Sequence, residues 1–397
     1  MYKISSFGYQ LMIKGVTISS QLLIFVILAK YMDIESYAIY LILLSSSAIA
    51  VHLILPGITN LQVKVGALGK KGGYLWVSIA LVSIVGFCAS FLLVPFFRHF
   101  YPQTDYSLVF LYFISEIIFL RIVDLYSSSL QGVGKATTAM LVSSLPYWLR
   151  SISILLMFLI IDEITLDWVI YCIFLCSLII MVFVLIASGV REKLSFPENF
   201  GKDLLDFTWV GFSIISKNSY SHADKLIIGK YIGFQSVADY SVALRLSSTI
   251  IIPVQNYLFT IYPALFQGEY KRAYRGLFYS LVYSVAAGAF LYAIGGYVLD
   301  WLFSGKYEGS NVYIPYVAMF PFLIVLSSFM ADIATAKGLY KSRAKIQFFL
   351  AISNLILNIF LVPIYGPEAA VIVTILCEIL MIFFLGYTIR FWVLDDA

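Results

Sequence analysis

Charged side chains are scarce in this sequence. Asp, Glu, Lys and Arg together make up 12% of its 397 residues, whereas a soluble domain carries about 25%. Hydrophobic residues account for 61% and occur in continuous runs of roughly 20 residues, the length of a helix that crosses a bilayer. Strands of a membrane barrel would instead alternate over about 10 residues. This composition excludes a soluble globular protein, and we predict an all-α integral membrane protein.

Cysteine and histidine are also few, with four and three residues. The cysteines all fall inside apolar runs, and their spacing fits neither a disulfide framework nor a zinc site: Cys88, Cys172, Cys176 and Cys377. We therefore predict no metal site and no cofactor. An ATP-binding loop is not expected either, because Gly132-Val133-Gly134-Lys135 has Ser129 where that motif requires its first glycine. We do not expect an enzyme.

The apolar runs predict twelve spans in two sets of six. The first set lies near residues 8–30, 36–57, 73–97, 106–130, 138–161 and 168–189, and the second near 207–229, 237–264, 277–302, 313–336, 346–364 and 368–389. Residues 190–206 between them are polar and basic, and we interpret them as a cytoplasmic linker. The sequence thus predicts an N-terminal six-helix lobe at 1–189 and a C-terminal six-helix lobe at 207–397.

Lysine and arginine indicate the orientation of the spans, because these residues resist translocation. With a cytoplasmic N-terminus, the inside segments hold sixteen of them and the outside segments hold four, namely Lys30, Arg98, Lys230 and Lys306. Both termini are therefore predicted to be cytoplasmic. The formal net charge of +4 does not call for a nucleic-acid partner, since the basic residues lie in the inside segments and in the spans.

One segment occurs twice, 200 residues apart. Ile27-Leu28-Ala29-Lys30-Tyr31 is followed by Ser36, Ala38, Tyr40, Leu44 and Ser47, and the ungapped second copy is Ile227-Ile228-Gly229-Lys230-Tyr231 with Ser236, Ala238, Tyr240, Leu244 and Ser247. This match indicates a duplicated half. Because an even number of spans separates the copies, both lobes enter the membrane in the same direction, which is the parallel kind of transporter repeat.

Several charged residues lie inside the predicted spans. Facing lipid near the bilayer centre, each would cost about 2.5–3.5 kcal/mol, so most must pair or line water. Some belong to polar helical stripes: Gln10, Lys14, Thr17 and Gln21 in the first span, Ser213, Lys217, Ser221 and Asp224 in the seventh, and Ser328, Asp332 and Thr335 in the tenth. Stripes from both lobes predict a shared central aqueous cavity.

The basic residues in the spans are divided equally between the lobes, and they favour an anionic cargo, because arginine and lysine bind phosphate. Five of them are candidates for substrate binding: Lys14, Arg121, Arg150, Lys217 and Arg245. Arg121 has an acidic residue, Asp124, three positions away, so mutual neutralisation is an open alternative. The other four have none within four positions on their own helices. Pairing between helices is the alternative for these four.

One stretch resembles a known family. Asp224-Lys225-Leu226-Ile227-Ile228-Gly229, then Gly233, Val237, Tyr240-Ser241, Ala243 and Arg245, with Pro253 and Pro263 beyond them, is similar to the seventh and eighth helices of Wzx-type polysaccharide flippases. These belong to the multidrug/oligosaccharidyl-lipid/polysaccharide exporter superfamily. The resemblance extends more weakly over the whole chain, to Gln131-Gly132 and to Gly366-Pro367-Glu368-Ala369-Ala370.

The resemblance implies two six-helix lobes around a central cavity and a flippase activity. The cargo would be an undecaprenyl-diphosphate-linked oligosaccharide, an O-antigen or capsule repeat unit, that moves from the cytoplasmic to the periplasmic leaflet of a bacterial inner membrane by alternating access. The five basic candidates would engage the diphosphate or acidic sugars, and Asp124, Asp224 and Asp332 would couple transport to H⁺ or Na⁺. Implied partners are the lipid-linked oligosaccharide, membrane lipid, and a glycan polymerase with its chain-length regulator.

Three other functions fit parts of the sequence. A multidrug or cation antiporter of the same superfamily would share the lobes, but it would be expected to favour an acidic cavity. A major-facilitator sugar transporter normally carries an acidic residue between its second and third helices, which residues 66–72 lack. A membrane glycan polymerase or ligase usually needs a large outward loop, and the outside segments here are short.

Overall fold

The structure, a computed structural model, describes residues 2–67, 73–161, 163–188, 200–266 and 268–395. The chain divides into two compact units, Met1–Gly211 and Phe212–Ala397. The described residues contain helices and no strand. Nine of these helices are long and apolar enough to cross a membrane, and a bent pair makes a tenth if it is counted as one span. The predicted all-α membrane class is confirmed.

The first unit contains eight helices and the beginning of a ninth. Their bounds are α1 (Tyr2–Tyr31), α2 (Ile34–Leu53), α3 (Ile58–Ala67), α4 (Gly73–Phe100), α5 (Tyr106–Ile114), a π-helical turn (Ser115–Phe119), α6 (Leu120–Gly132), α7 (Ala136–Ile160) and α8 (Leu166–Ala187). The six predicted spans correspond to α1, α2, α4, the run from α5 to α6, α7 and α8. Helix α3 was not predicted, because its residues had been assigned to a cytoplasmic loop.

The second unit contains the rest of α9 (Phe200–Tyr231) and the helices that follow it. These are α10 (Phe234–Phe266), α11 (Tyr270–Phe303), a 3₁₀ turn (Glu308–Tyr313), α12 (Ile314–Val317), α13 (Phe320–Ala336), α14 (Tyr340–Tyr365) and α15 (Pro367–Asp395). Of the predicted linker, residues 190–199 lie outside the described residues, and residues 200–206 belong to α9. The linker and its bounds stay a prediction.

The two copies of the repeated segment have the same helix boundaries. Helices α1 and α9 end at Tyr31 and Tyr231, and the next helices begin at Ile34 and Phe234. At each end a lysine ammonium stands over the neighbouring tyrosine ring, 5.9 Å from the ring centre in the first copy and 5.3 Å in the second.

An aromatic contact is repeated as well. Tyr40 meets Tyr112 edge-on with 6.3 Å between ring centroids, and Tyr240 meets Tyr313 in the same way at 5.8 Å. The repeated residues therefore build the same local structure in both units.

The second span differs between the units. In the first unit it stops at Leu53, turns through Leu55 (φ 54°) and Gly57 (φ 79°), and resumes as α3. In the second unit α10 runs on without a break to Phe266. Helix α3 packs closely on α6, since a Cβ on Gly66 would lie 3.0 Å from the Cα of Gly132. Small residues permit such close helix contacts in membranes, and this contact positions the helix that carries Arg121 and Asp124.

Candidate functional site

A cavity of about 300 Å³ opens among helices α9, α10, α13, α14 and α15 of the second unit. Its walls combine polar and charged side chains with a few apolar ones: Lys217, Tyr220, Gln255, Leu258, Ser327, Ser328, Ala331, Asp332, Arg343, Gln347 and Met381. Two of these residues are cationic and one is anionic. Such a lining can hold a hydrated or anionic group, and it is unsuited to a purely apolar one.

The cavity brings together two residues that were predicted from polar stripes, Lys217 and Asp332. Lys217 comes from α9, and Asp332, which is half-buried, comes from α13. Asp332 lies within electrostatic reach of both Lys217 and Arg343. In the described part of the chain no ion pair within 4 Å joins these three side chains. The cations are therefore available to a ligand.

Arg343 is a cavity residue that the sequence reasoning missed. It had been counted among the cytoplasmic residues, because the span was predicted to begin at 346, whereas α14 begins at Tyr340. Its Nη1 donates to the Ala331 carbonyl oxygen at 3.2 Å and to Thr335 Oγ1 at 2.6 Å. These bonds hold the guanidinium against α13. The sequence does contain an indication that Arg343 faces the same side as other polar residues. Gln347 is four positions further along and lies on the same face of the helix.

Two hydrogen bonds order the polar walls of the cavity. The Ser213 hydroxyl donates to Gln347 Oε1, and the Tyr220 hydroxyl donates to Glu378 Oε1 at 2.8 Å. Gln347 and Glu378 are 3% and 5% exposed. Glu378 is thus connected to the cavity through Tyr220.

The first unit arranges its charges differently. Arg150 of α7 pairs with Glu116, 2.6 Å from Nη2 to Oε1, and the same nitrogen donates to Ser177 Oγ at 2.6 Å. The two charged side chains are 9% and 11% exposed. Glu116 belongs to the π-helical turn, a distortion that is frequent at functional sites. The structure therefore shows Arg150 in an ion pair between helices, which was the open alternative for this residue.

Arg121 and Asp124 are close to one another on α6. Arg121 is 4% exposed, and Asp124 is its electrostatic partner, three positions further along the helix. Within the described residues the Arg121 Nε makes no hydrogen bond. The arrangement fits mutual neutralisation, and a ligand role for this pair stays a prediction.

Two residues of the polar stripe of α1 are hydrogen-bonded to α7. The Gln10 amide donates to Thr137 Oγ1 at 3.5 Å, and Trp148 Nε1 donates to Thr17 Oγ1 at 3.1 Å. Lys14, which is half-buried, shares this helix face. Polar groups in a membrane bond to one another across helix pairs in this way, and the expectation that this stripe lines a cavity stays a prediction.

Arg245 is half-buried in α10 and does not line the cavity of the second unit. Lys14 lies in the first unit. The substrate-binding role expected of these two residues stays a prediction.

Asp224 at the end of α9 is hydrogen-bonded to neighbouring groups. It is 2% exposed and accepts hydrogen bonds from the Tyr240 hydroxyl and, at 2.8 Å, from the Lys225 backbone N–H. Asp239, which the sequence reasoning passed over, is 6% exposed and accepts from Gln235 at 3.1 Å. Neither carboxylate lines the cavity.

Metal-ligating side chains do not cluster in the described residues. No group of three or more His, Cys, Asp or Glu that could hold a metal ion is found among them. The four cysteines are free thiols. The candidate site therefore consists of hydrogen-bonding and charged side chains.

Comparison with known proteins finds similar solved structures but no similar sequences. No protein-family model and no curated protein sequence matches the chain. An inward-facing multidrug resistance MATE family transporter of the MOP superfamily matches with a TM-score of 0.73 and 15% identity, over 96% of each chain. The lipid II flippase MurJ, in an inward closed conformation, matches with a TM-score of 0.76 and 14% identity, over 98% of this chain and 87% of that one.

A third structure is a MOP superfamily transporter from Pyrococcus furiosus, described as having a binding pocket of reverse polarity. It matches with a TM-score of 0.61 and 14% identity, over 98% of this chain and 93% of the other. At such identities the likeness concerns the fold. The chain is a multi-pass membrane protein with the fold of MOP superfamily transporters, the superfamily that the sequence resemblance indicated.

Proposed function

We propose that the chain is a flippase that moves an undecaprenyl-diphosphate-linked oligosaccharide, an O-antigen or capsule repeat unit, from the cytoplasmic to the periplasmic leaflet by alternating access. The observation that carries this proposal is the cavity of the second unit, where Lys217 and Arg343 stand beside one carboxylate, Asp332. The likeness to a lipid II flippase adds support at the level of the fold.

The charge of the cavity favours an anionic cargo. Two cations and one carboxylate leave an excess of one positive charge in the lining, and the guanidinium of Arg343 is held in place by α13. Arginine presents several N–H donors in a planar fork that matches phosphate oxygens. A diphosphate that enters the cavity can therefore be bound by Arg343 and Lys217 together.

The other basic candidates are proposed to contact the cargo at other stages of transport. Lys14, Arg121 and Arg245 are proposed to meet the cargo as it passes. Arg150 is proposed to do so by exchanging its bond with Glu116 for a bond with the cargo, since its guanidinium is paired.

Coupling to an ion gradient is proposed to use Asp332 first. Its carboxylate lines the cavity between two cations, so its charge affects the binding of an anion directly. Asp124 and Asp224 are further candidates, and H⁺ or Na⁺ is the proposed ion. We place the protein in a bacterial inner membrane with both termini in the cytoplasm, where a glycan polymerase and a chain-length regulator would receive its product.

The experiment that tests this function follows the sidedness of the lipid-linked sugar in a strain that lacks the chain. A membrane-impermeant glycan-oxidising reagent is applied to spheroplasts and to inverted vesicles. We expect the sugar to accumulate on the cytoplasmic leaflet and to return to the outer leaflet when the gene is restored. Outward-facing, unpolymerised units in the deletion strain would instead indicate a polymerase or ligase.

A multidrug antiporter is the second candidate, because a MATE transporter has a similar fold and Asp332 lines the cavity. Export of an organic cation such as ethidium by the reconstituted protein would support it. The Lys217→Ala variant separates the two functions. It removes a repulsive charge for a cation and an attractive charge for an anion, so the antiporter should become faster and the flippase slower.

A further inference from the structure

A second cavity, of about 400 Å³, lies beside the C-terminal half of α11 and is distinct from the cavity that contains Lys217. One wall comes from α11 and the other from the 3₁₀ turn and α12: Tyr292, Ala293, Gly296, Tyr297, Asp300, Asn311, Ile314 and Pro315. We call this the α11 groove. Nothing in the proposed transport step uses it.

The α11 groove lies near the end of a helix that is long and apolar enough to span a bilayer. The groove occupies the turns just before the end of α11 at Phe303. Tyr297 and Trp301 are 77% and 79% exposed there. Tyrosine and tryptophan are enriched at the headgroup level of membrane proteins. The groove is therefore placed to meet lipid headgroups.

Two oxygen acceptors of the α11 groove, on Asp300 and Asn311, have no cationic or hydrogen-bonding side-chain partner among the described residues. The Asp300 carboxylate makes no ion pair with any described residue. The Asn311 Oδ1 is buried and has no hydrogen-bond partner in the described part of the chain. Leaving such an acceptor unpaired costs free energy. A ligand that supplies several N–H donors and a positive charge would satisfy both groups.

Glycine at position 296 leaves the space beside Asn311 Oδ1 unfilled. A Cβ at this position would lie 3.0 Å from Asn311 Oδ1, so any larger residue would cover the unpaired oxygen. The rings of Tyr292 and Tyr297 line the same groove, and aromatic faces attract cations. Among the lining residues Asp300 is the charged one. Carboxylate, amide oxygen and aromatic faces together match a primary ammonium group.

We propose that the α11 groove binds the ammonium headgroup of an aminophospholipid of the phosphatidylethanolamine type. The ammonium would donate to the Asp300 carboxylate and to Asn311 Oδ1, while the acyl chains would lie along the apolar outside of α11. Phosphatidylcholine has the same charges but no N–H donor, and phosphatidylglycerol has no amine. The proposal therefore predicts an order of preference among these three lipids.

Native mass spectrometry of the full chain, released from nanodiscs that contain equal amounts of the three lipids, tests the proposal. We expect retained phosphatidylethanolamine to exceed phosphatidylcholine by about fivefold or more, the effect of a charge-assisted hydrogen bond at a partly exposed site. Asp300→Asn and Gly296→Ala should each abolish this preference. Glu308→Gln is the matched control, because it removes an exposed carboxylate nearby that does not line the groove.

Three results would overturn the proposal. The first is equal retention of the three lipids by the unmodified protein. The second is an unchanged preference in both Asp300→Asn and Gly296→Ala, whose folding is verified by their melting temperatures. The third is loss of the bound lipid when soluble phosphoethanolamine is added at the same concentration, which would assign the groove to a free amine. Because Gly296→Ala leaves the charge intact, it keeps the test decisive if the Asp300 variant does not fold.

Discussion

The two units carry similar numbers of charged residues inside their helices but use them in opposite ways. In the first unit Arg150 is bonded to Glu116 and Ser177, and these side chains are almost inaccessible. In the second unit Lys217, Asp332 and Arg343 line a cavity without forming an ion pair among themselves. The comparison teaches that neighbouring side chains decide whether a charge in a membrane helix is paired with a counter-ion or lines a cavity without one.

This difference arises on a common scaffold. The repeated Lys-Tyr pairs and the Tyr40–Tyr112 and Tyr240–Tyr313 contacts are alike in the two units. The fourth spans are both distorted, by a π-helical turn at Ser115–Phe119 and by a 44° bend before Phe320. In the first unit the distortion carries Glu116 to Arg150. The two units thus share these local features and differ in the partners of their charged side chains.

The largest effect is expected from removing Glu116. Glu116→Ala leaves the buried guanidinium of Arg150 without its counter-ion, and breaking a buried pair in this way costs about 3–5 kcal/mol. Chemical denaturation in detergent should show a free energy of unfolding that is lower by this amount. The double variant Glu116→Ala with Arg150→Met should recover most of the loss.

An exposed ion pair provides the control for that experiment. Glu269 and Arg272 are 3.2 Å apart, but their side chains are 48% and 68% exposed. Glu269→Ala should therefore cost less than about 1 kcal/mol. If Glu116→Ala and Glu269→Ala lower the free energy of unfolding equally, the Glu116–Arg150 pair has no special structural role.

The next largest effect is expected on transport, from removing a cation of the cavity. Arg343→Ala removes a donor to the cargo, and losing one hydrogen bond to a charged group corresponds to roughly a tenfold or larger decrease in transport rate. The melting temperature should also fall, because the variant loses the two hydrogen bonds that Arg343 donates to α13. Lys345→Ala is the matched control, since this residue is exposed on the same helix and does not line the cavity. An unchanged transport rate in Arg343→Ala would show that Arg343 does not bind the cargo.

A smaller effect is expected from the hydrogen bond beside the cavity. Tyr220→Phe removes the donor to the buried Glu378 carboxylate, which should lower the free energy of unfolding by about 1–2 kcal/mol. Tyr283→Phe is the control, because the hydroxyl of Tyr283 donates at an exposed position. If Tyr220→Phe with Glu378→Gln loses the full sum of both single variants, the two side chains are not coupled.

The long helices were predictable from sequence because long apolar runs are local properties, although α9 and α11 begin earlier than predicted. Helix α3 and the early start of α14 were not, since both lie in polar, basic segments that resemble loops. As a result, Arg343 was predicted to lie in a cytoplasmic segment, whereas it lies in α14. The bond between Glu116 and Arg150 was also hidden, because it joins two helices and the helical period relates only residues on one helix. Lys217 and Asp332 were found because their helices carry polar stripes.

The smallest effect is expected in the first unit, at a carboxylate outside the membrane spans. Asp105 caps α5 and accepts from the Ser107 hydroxyl and backbone N–H, both at 2.7 Å. These bonds, the hydroxyl first, hold the pKa of Asp105 below its ordinary value. Its stabilising contribution is thus present above the unfolded-state pKa, about 4, and is lost as pH falls through the folded-state pKa. Asp105→Ala should lower the melting temperature at neutral pH, and the difference should disappear in strong acid. Asp105→Asn keeps the capping acceptor and should lose less, with little dependence on pH. A constant deficit of the alanine variant at every pH would mean that the ionised carboxylate is not what stabilises α5.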